Sequence, residues 1–398
     1  MRTEPSVGPG RLASGLLLAQ LLGAMVDFGA LGLASQSGFD TGKWLLLSPG
    51  LFMGLYLLVA SPTVMRWILS GPMFIFMVWF AWAFASAGWS IDAQATVLQL
   101  VSAVAVTISA FWYVRSFGRS SFARVFSIAA AVVLTVGLAN DLIPAVADVL
   151  GVEGSQTEFG VETGRSPGIT PGVNQLGMLA GLTMMMLVRV APRTEAEKLA
   201  RLVGFALAGT AMFTAGSRSV AVCTIVALAV QVGMGSSIQS RVRGAVGAVA
   251  ATLVAVGFIG TSGTETTFQA GRSFDSLNGR ENVWSHAIEL IGAEPLIGYG
   301  MMTGQETWAR AFALGRTTFD AGDAHNTALE LLVGTGIVGL SLFAAAMVWA
   351  ALRAWNRRDS DALALILLLG FVGLTEALVS APGLVYSIFG VIMGLVAA

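Results

Sequence analysis

Few side chains in this chain combine a chemical capability with a suggestive position, and His325 leads them. It lies in Asp323-Ala324-His325-Asn326-Thr327-Ala328-Leu329-Glu330, where a polar stretch meets a long apolar one. The spacing predicts that Asp323 caps the following helix and that Ala324, His325 and Asn326 form its first turn. A helix N-terminus favours neutral imidazole, a usable base, whereas the charges of Asp320 and Asp323 favour imidazolium; the sequence leaves that balance open. Taken alone, His325 reads as decoration of a membrane interface. Arg218, in Gly216-Ser217-Arg218-Ser219, falls between two apolar runs too close together for an ordinary loop. A guanidinium held at or below an interface is costly, and function and snorkelling explain it equally well from hydropathy. Arg280 opens Arg280-Glu281-Asn282-Val283-Trp284, the start of an amphipathic segment.

The elements that position these residues must be membrane helices. The chain has 398 residues, 55% hydrophobic and 11% charged, with a mean hydropathy of +0.77, far too apolar for a soluble protein of this length. Its apolar runs of about 17–25 residues suit helices that cross the hydrocarbon core, and no alternating pattern suggests a barrel. The expected fold is all-α and polytopic, a single membrane domain over residues 1–398. Spans are expected near Leu12–Leu33, Trp44–Ala60, Gly71–Ala87, Ala95–Tyr113, Phe122–Leu138, Asn174–Val190, Leu202–Phe213, Ser219–Gly233, Gly244–Ile259, Ala324–Ala351, Ala362–Leu378 and Gly383–Ala397.

About twelve spans put both termini on one side, and most basic residues, Arg66, Arg115, Arg119, Arg189 and Arg353 among them, share that face. By the positive-inside rule it is cytoplasmic. The first apolar segment lacks the basic start and cleavage site of a signal peptide and is expected to be retained. The single cysteine, Cys223, cannot form an intramolecular disulfide, and two histidines make a zinc site improbable. Nothing points to nucleic acid or to a cofactor.

Two external loops are too long to be mere connectors, residues 140–173 and 260–323. The second is expected to be partly helical, over Arg280–Ile291 and near Gln305–Leu314, and to fold over the membrane face. His286 falls on the polar face of the first of these helices and reads as an exposed structural histidine. Gly334-Thr335-Gly336-Ile337-Val338-Gly339 spells a dinucleotide fingerprint, but no strand precedes it, so it reads as close packing within a helix. Asp27, Glu330 and Glu376 are acids in apolar surroundings, and such acids suggest a proton path. They support a competing class, a secondary transporter or a lipid or glycolipid flippase, although no inverted repeat is visible. Glu330 has a simpler place, four residues after Asn326 and on the same helix face.

The order of these motifs resembles the O-antigen ligase and polymerase superfamily, membrane glycosyltransferases that use polyprenyl-diphosphate-linked glycans. The resemblance rests on His325 and Asn326 ending the large loop, on the helix with Leu329, Glu330, Gly334, Gly336 and Gly339, on the Ser217-Arg218 pair, on Arg280 before a tryptophan-containing helix, and on Arg165 and Asn174 in Gly164-Arg165-Ser166-Pro167-Gly168-Ile169-Thr170-Pro171-Gly172-Val173-Asn174. It implies a GT-C-like fold in the bacterial inner membrane with the site on the external face. It implies an inverting transfer without metal or cofactor, from a polyprenyl diphosphate donor to a glycan or glycolipid acceptor among membrane lipids. His325 would be the base, and Arg218 and Arg280 the diphosphate clamp, since planar guanidinium forks match phosphate oxygens. Asn326, Glu330, Ser217, Arg165 and Asn174 would support them, with Arg272 and Arg316 as further candidates for the clamp.

Overall fold

A computed structural model describes residues 7–26, 41–143, 146, 157–158, 161–162, 166–234, 280–317, 322–380 and 383–397. Fourteen α-helices occupy them: α1 Val7–Met25, α2 Thr41–Ala60, α3 Pro62–Ile68, α4 Pro72–Ala85, α5 Ala93–Phe117, α6 Arg119–Leu142, α7 Val173–Arg189, α8 Glu195–Ala215, α9 Arg218–Gly233, α10 Arg280–Ala293, α11 Gly304–Ala313, α12 Thr327–Asn356, α13 Ser360–Val372 and α14 Leu384–Val396. One departure from the all-α expectation falls in the first long loop, where Thr157–Glu158 pairs antiparallel with Val161–Glu162. The span expected at Gly244–Ile259 and the acid Asp27 lie outside the described residues.

The helix boundaries follow local chemistry. Asp92 caps α5 by accepting from the Ala95 amide at 2.9 Å, and Asp359 caps α13 through the amides of Asp361 and Ala362. Pro62 and Pro72 open α3 and α4, where a missing N–H costs nothing. α2 and α3 meet at a 92° bend.

Among the described residues, three helices are long and apolar enough to cross a membrane: α5, α6 and α12. The bent pair α2–α3 would make a fourth, and shorter apolar helices occur within α1, α4, α9, α13 and α14. Large apolar side chains such as Phe52, Tyr56, Val59, Val348 and Trp355 face outward, as a lipid-facing surface requires.

Inside the bundle, Phe76, Trp79 and Phe80 of α4 interlock with Phe343 of α12 and with Tyr386 and Phe389 of α14. α7 and α9 approach closely at Gly177 and Gly181, where an added Cβ would stand 3.1 Å from Ser217 Cβ and 2.3 Å from Thr224 Oγ1. Small residues four apart let helix backbones touch in this way.

The glycine run in α12 does more than pack. Gly336 has φ +64° and ψ −170°, so the helix breaks there. The chain at 295–301 wedges into the break: the Tyr299 amide donates to Val333 O at 2.8 Å, Gly300 to Gly334 O at 2.9 Å, and Ile337 to Pro295 O at 2.9 Å. A Cβ on Gly336 would stand 2.2 Å from the Leu296 carbonyl. The indoles of Trp82 and Trp89 donate to Thr335 O and Ile297 O from the other side. The expectation of simple packing within one helix is corrected accordingly: the fingerprint is a helix break filled by the backbone of residues 295–301.

Candidate active site

The start of α12 differs from the expected geometry. Asn326, not Asp323, is the N-cap; its Oδ1 accepts from the Ala328 and Leu329 amides at 2.9 and 3.0 Å. Ala324, His325 and Asn326 therefore lie before the helix rather than in its first turn. His325 adopts φ +46°, one of three non-glycine residues with positive φ among those described. Histidine tolerates this left-handed region better than most residues. Asparagine outcompetes aspartate for the cap here because its Nδ2 can also donate, and it does so to Leu374 O at 3.0 Å.

Asp323, freed from capping, shapes the turn that presents the imidazole. Its Oδ1 accepts from the His325 amide at 2.7 Å and lies 3.4 Å from His325 Nδ1. Glu330, buried one helical turn below, accepts the Ala324 amide at 2.8 Å. Trp284 of α10 donates to Ala324 O at 3.0 Å. Beneath the turn lies a small apolar cluster of Val283, Ala287, Trp308, Ala324 and Val333. His286 belongs to this layer. It is 5% exposed and stands edge-on to Trp308 with centroids 5.9 Å apart, so the exposed position expected for it is wrong. Its helix turns that face toward α11, whose Trp308 ring offers an apolar contact.

The segment after α13 closes the site. The Thr327 amide donates to Gly373 O, and its hydroxyl donates to Glu376 O and accepts from the Leu378 amide. Glu376 thus stands beside the His325 turn. Its Oε1 accepts from Arg280 Nη2 at 2.9 Å and from Asn174 Nδ2 at 2.7 Å, while Arg280 Nη1 donates to Thr375 O at 2.7 Å. Three distant segments, at α7, α10 and the end of α13, therefore meet at one carboxylate. Burial pushes the Glu376 carboxyl up to about 7; Arg280 opposes this, and the nearby charge of Asp323 adds to it. A cleft of about 160 Å³ opens here, with Thr170, Asn174, Asp323, Glu376 and Ser380 among its polar walls and Met178 and Leu384 among its apolar ones.

The remaining candidates divide. Arg218 is the first residue of α9, and its neighbour Ser217 packs against Gly177, one helical turn along α7 from Asn174. It is at the same end of the bundle but does not line the cleft. The Ser217 hydroxyl is buried without a hydrogen-bond partner among the described residues. Arg316 is exposed on the turn after α11 and is not part of the cluster. Arg165, Arg272 and Asp320 lie outside the described residues.

Residues 203–344 match the O-antigen ligase family model, Wzy_C. The match supports the O-antigen ligase/polymerase superfamily and, at family level, a membrane glycosyltransferase of polysaccharide biosynthesis acting on glycans and lipid-linked substrates. No curated protein matches the chain. The O-antigen ligase match takes in Arg218, Arg280, His325, Asn326, Glu330 and the broken start of α12. Asn174 and Glu376 fall outside it and join the site only through the fold. Sequence reasoning singled out Glu376 for its apolar surroundings but attached it to a transporter path. Asp323 was read as a helix cap; its contact with the imidazole depends on a left-handed turn that no spacing announces.

Proposed function

We propose that this protein transfers a glycan from a polyprenyl diphosphate to a hydroxyl of a lipid or glycan acceptor, at the external leaflet of a bacterial inner membrane. About twelve spans and cytoplasmic termini complete this reading. The observation that carries it is that two carboxylates in the wall of one cleft, Asp323 and Glu376, stand against His325 and Arg280 respectively, inside and beside the O-antigen ligase match.

In this reading the acceptor oxygen attacks the anomeric carbon while His325 removes its proton. The bond from that carbon to the diphosphate oxygen breaks, the electron pair leaves with the diphosphate, and the configuration inverts. Asp323 stands 3.4 Å from Nδ1 and places a negative charge beside the ring, which favours the imidazolium that forms as the proton is taken up. Arg218 and Arg280 neutralise the departing diphosphate. Glu376 occupies Arg280 in this structure, and with its carboxyl titrating at about 7 it can take up a proton and yield the guanidinium to the donor.

The competing class is a secondary transporter or lipid flippase; of the acids that suggested it, Glu376 is engaged by Arg280 and Asn174. The test is transfer by the purified protein from a polyprenyl-diphosphate glycan. The expected outcome is a labelled acceptor, absent with His325→Gly, a variant that keeps the left-handed turn while deleting the imidazole. The length of the product on a gel separates ligase from polymerase. Transport of the donor without new glycosidic bonds would overturn the proposal.

A further inference from the structure

The opposite end of the same helices holds a second polar cluster. Asp361, 5% exposed in the first turn of α13, accepts from three other helices: Arg119 Nη1 of α6 at 2.9 Å, Arg189 Nε at the end of α7, and Gln231 Nε2 of α9 at 2.9 Å. Arg189 also donates to Ser360 Oγ at 2.7 Å and to Gln231 O at 3.3 Å, and Arg119 reaches Asp359 at 3.2 Å. Gln231 donates further to Met185 O at 3.2 Å.

Each helix joined at Asp361 carries part of the site at its other end. α7 carries Asn174 in its first turn and ends at Arg189; α9 begins with Arg218 and holds Gln231 near its end; α13 carries Asp361 in its first turn and leads to Glu376. α6 begins with Arg119 and ends at Asp141, which accepts from Ser166 Oγ at 2.5 Å beside Thr170 of the cleft. The 17 residues of α7 separate hub from site by roughly 25 Å. Between the two, α7 and α9 pack closely at Gly177 and Gly181, so a shift at one end is passed along the pair.

We propose that Asp361 and its partners Arg119, Arg189 and Gln231 form a positioning hub that sets the axial register of α6, α7, α9 and α13, and through them the spacing of Asn174, Arg218 and Glu376. A carboxylate with two oxygens and fixed acceptor directions can hold several donors at one height only in one register. Buried charge gives that register its selectivity, because a slide along a helix axis would strand an ion without its partner. The hub is a property of the fold; its effect on catalysis rests on the glycosyl-transfer reading above.

The experiment combines a distance with a rate. Spin labels at Val222→Cys and Leu374→Cys, both exposed and outside the cleft, report the site ends of α9 and α13 in a Cys223→Ala background. Asp361→Asn, which keeps the shape and removes the charge, is expected to broaden or shift that distance well below the melting temperature. Without labels it is expected to lower kcat about 10- to 10²-fold with little change in KM, the cost of misplacing groups by about 1 Å. Arg119→Gln removes the half-exposed partner and is expected to do the same more weakly, so the question survives if Asp361→Asn fails to fold.

An unchanged distance in both variants would overturn the hub. A changed distance with full kcat would overturn its catalytic role. If the wild-type protein transfers nothing from a polyprenyl-diphosphate glycan, the glycosyl-transfer reading fails, and the label distance still decides the hub.

Discussion

At the scale of single residues, the two histidines of the chain differ in setting. His325 sits in a left-handed turn next to Asp323, which lines the cleft, whereas His286 is packed against Trp308. His325→Ala is expected to lower transfer roughly 10²–10⁴-fold with folding retained, measured as initial rate per folded molecule. His286→Ala is expected to cost on the order of 2 kcal/mol of stability through lost packing and to leave that rate nearly intact; thermal unfolding beside the rate assay checks both. Glu376 supplies a pH signature. Its carboxyl is raised in the fold to about 7, against about 4.3 for an unperturbed glutamate, so the fold favours the protonated form. The stability it contributes is full below the unperturbed value, declines between the two, and is lost above about 7. Above that pH the carboxylate also holds Arg280 more firmly, so donor KM should rise with pH, and Glu376→Gln should flatten the rise. An unaltered KM profile in that variant would remove Glu376 from donor binding. Of these assignments, the candidacy of His325, Arg280 and Asn174 was legible in the sequence. The pairing of Arg280 with Glu376 was not, because 95 residues separate them and only the turn after α13 brings them together.

At the scale of elements, helix positions were readable because apolar runs bounded by Pro, Gly and acidic caps leave little choice. The Phe122–Leu138, Asn174–Val190 and Ser219–Gly233 spans lie within or nearly coincide with α6, α7 and α9. The start of α12 was misread because Asp323 and Asn326 are both good caps, and the choice between them was made by Leu374 O, a tertiary partner. The break at Gly336 was hidden for a similar reason: glycine in an apolar helix signals close approach but not whether a neighbouring helix or a loop approaches. Gly336→Ala is expected to destabilise the protein by about 3 kcal/mol or more, since positive φ and overlap with Leu296 act together. Gly370→Ala, on α13 with nothing within 4 Å of the added methyl, should be neutral or slightly stabilising. Comparing detergent unfolding of the two variants checks this, and equal stability would mean that the wedge does not occupy the break.

At the scale of the whole molecule, composition points to a helical membrane protein; the expected number of spans rests on the apolar runs and their sidedness on charge distribution. Single cysteines placed at exposed positions such as Leu296 and Leu314 in a Cys223→Ala background should react with an impermeant thiol reagent from outside intact cells; reaction from the cytoplasmic side alone would reverse the topology. The selectivity of the proposed site, by contrast, left no trace in the sequence, because apart from Asp323 the cleft's walls come from segments on either side of the matched residues. The wedge at 295–301 bears on how that selectivity can diversify. It is fastened to α12 by backbone amides and carbonyls of Pro295, Tyr299, Gly300, Val333, Gly334 and Ile337, contacts that no side-chain replacement deletes. The segment from Arg280 to Thr317 can therefore act as a cassette: transplanted from a relative, it is expected to seat on the same broken helix so long as it brings glycines at 298 and 300 and the receiving helix keeps Gly336. New recognition could then be acquired by recombination in one step, with the membrane bundle beneath left as it was.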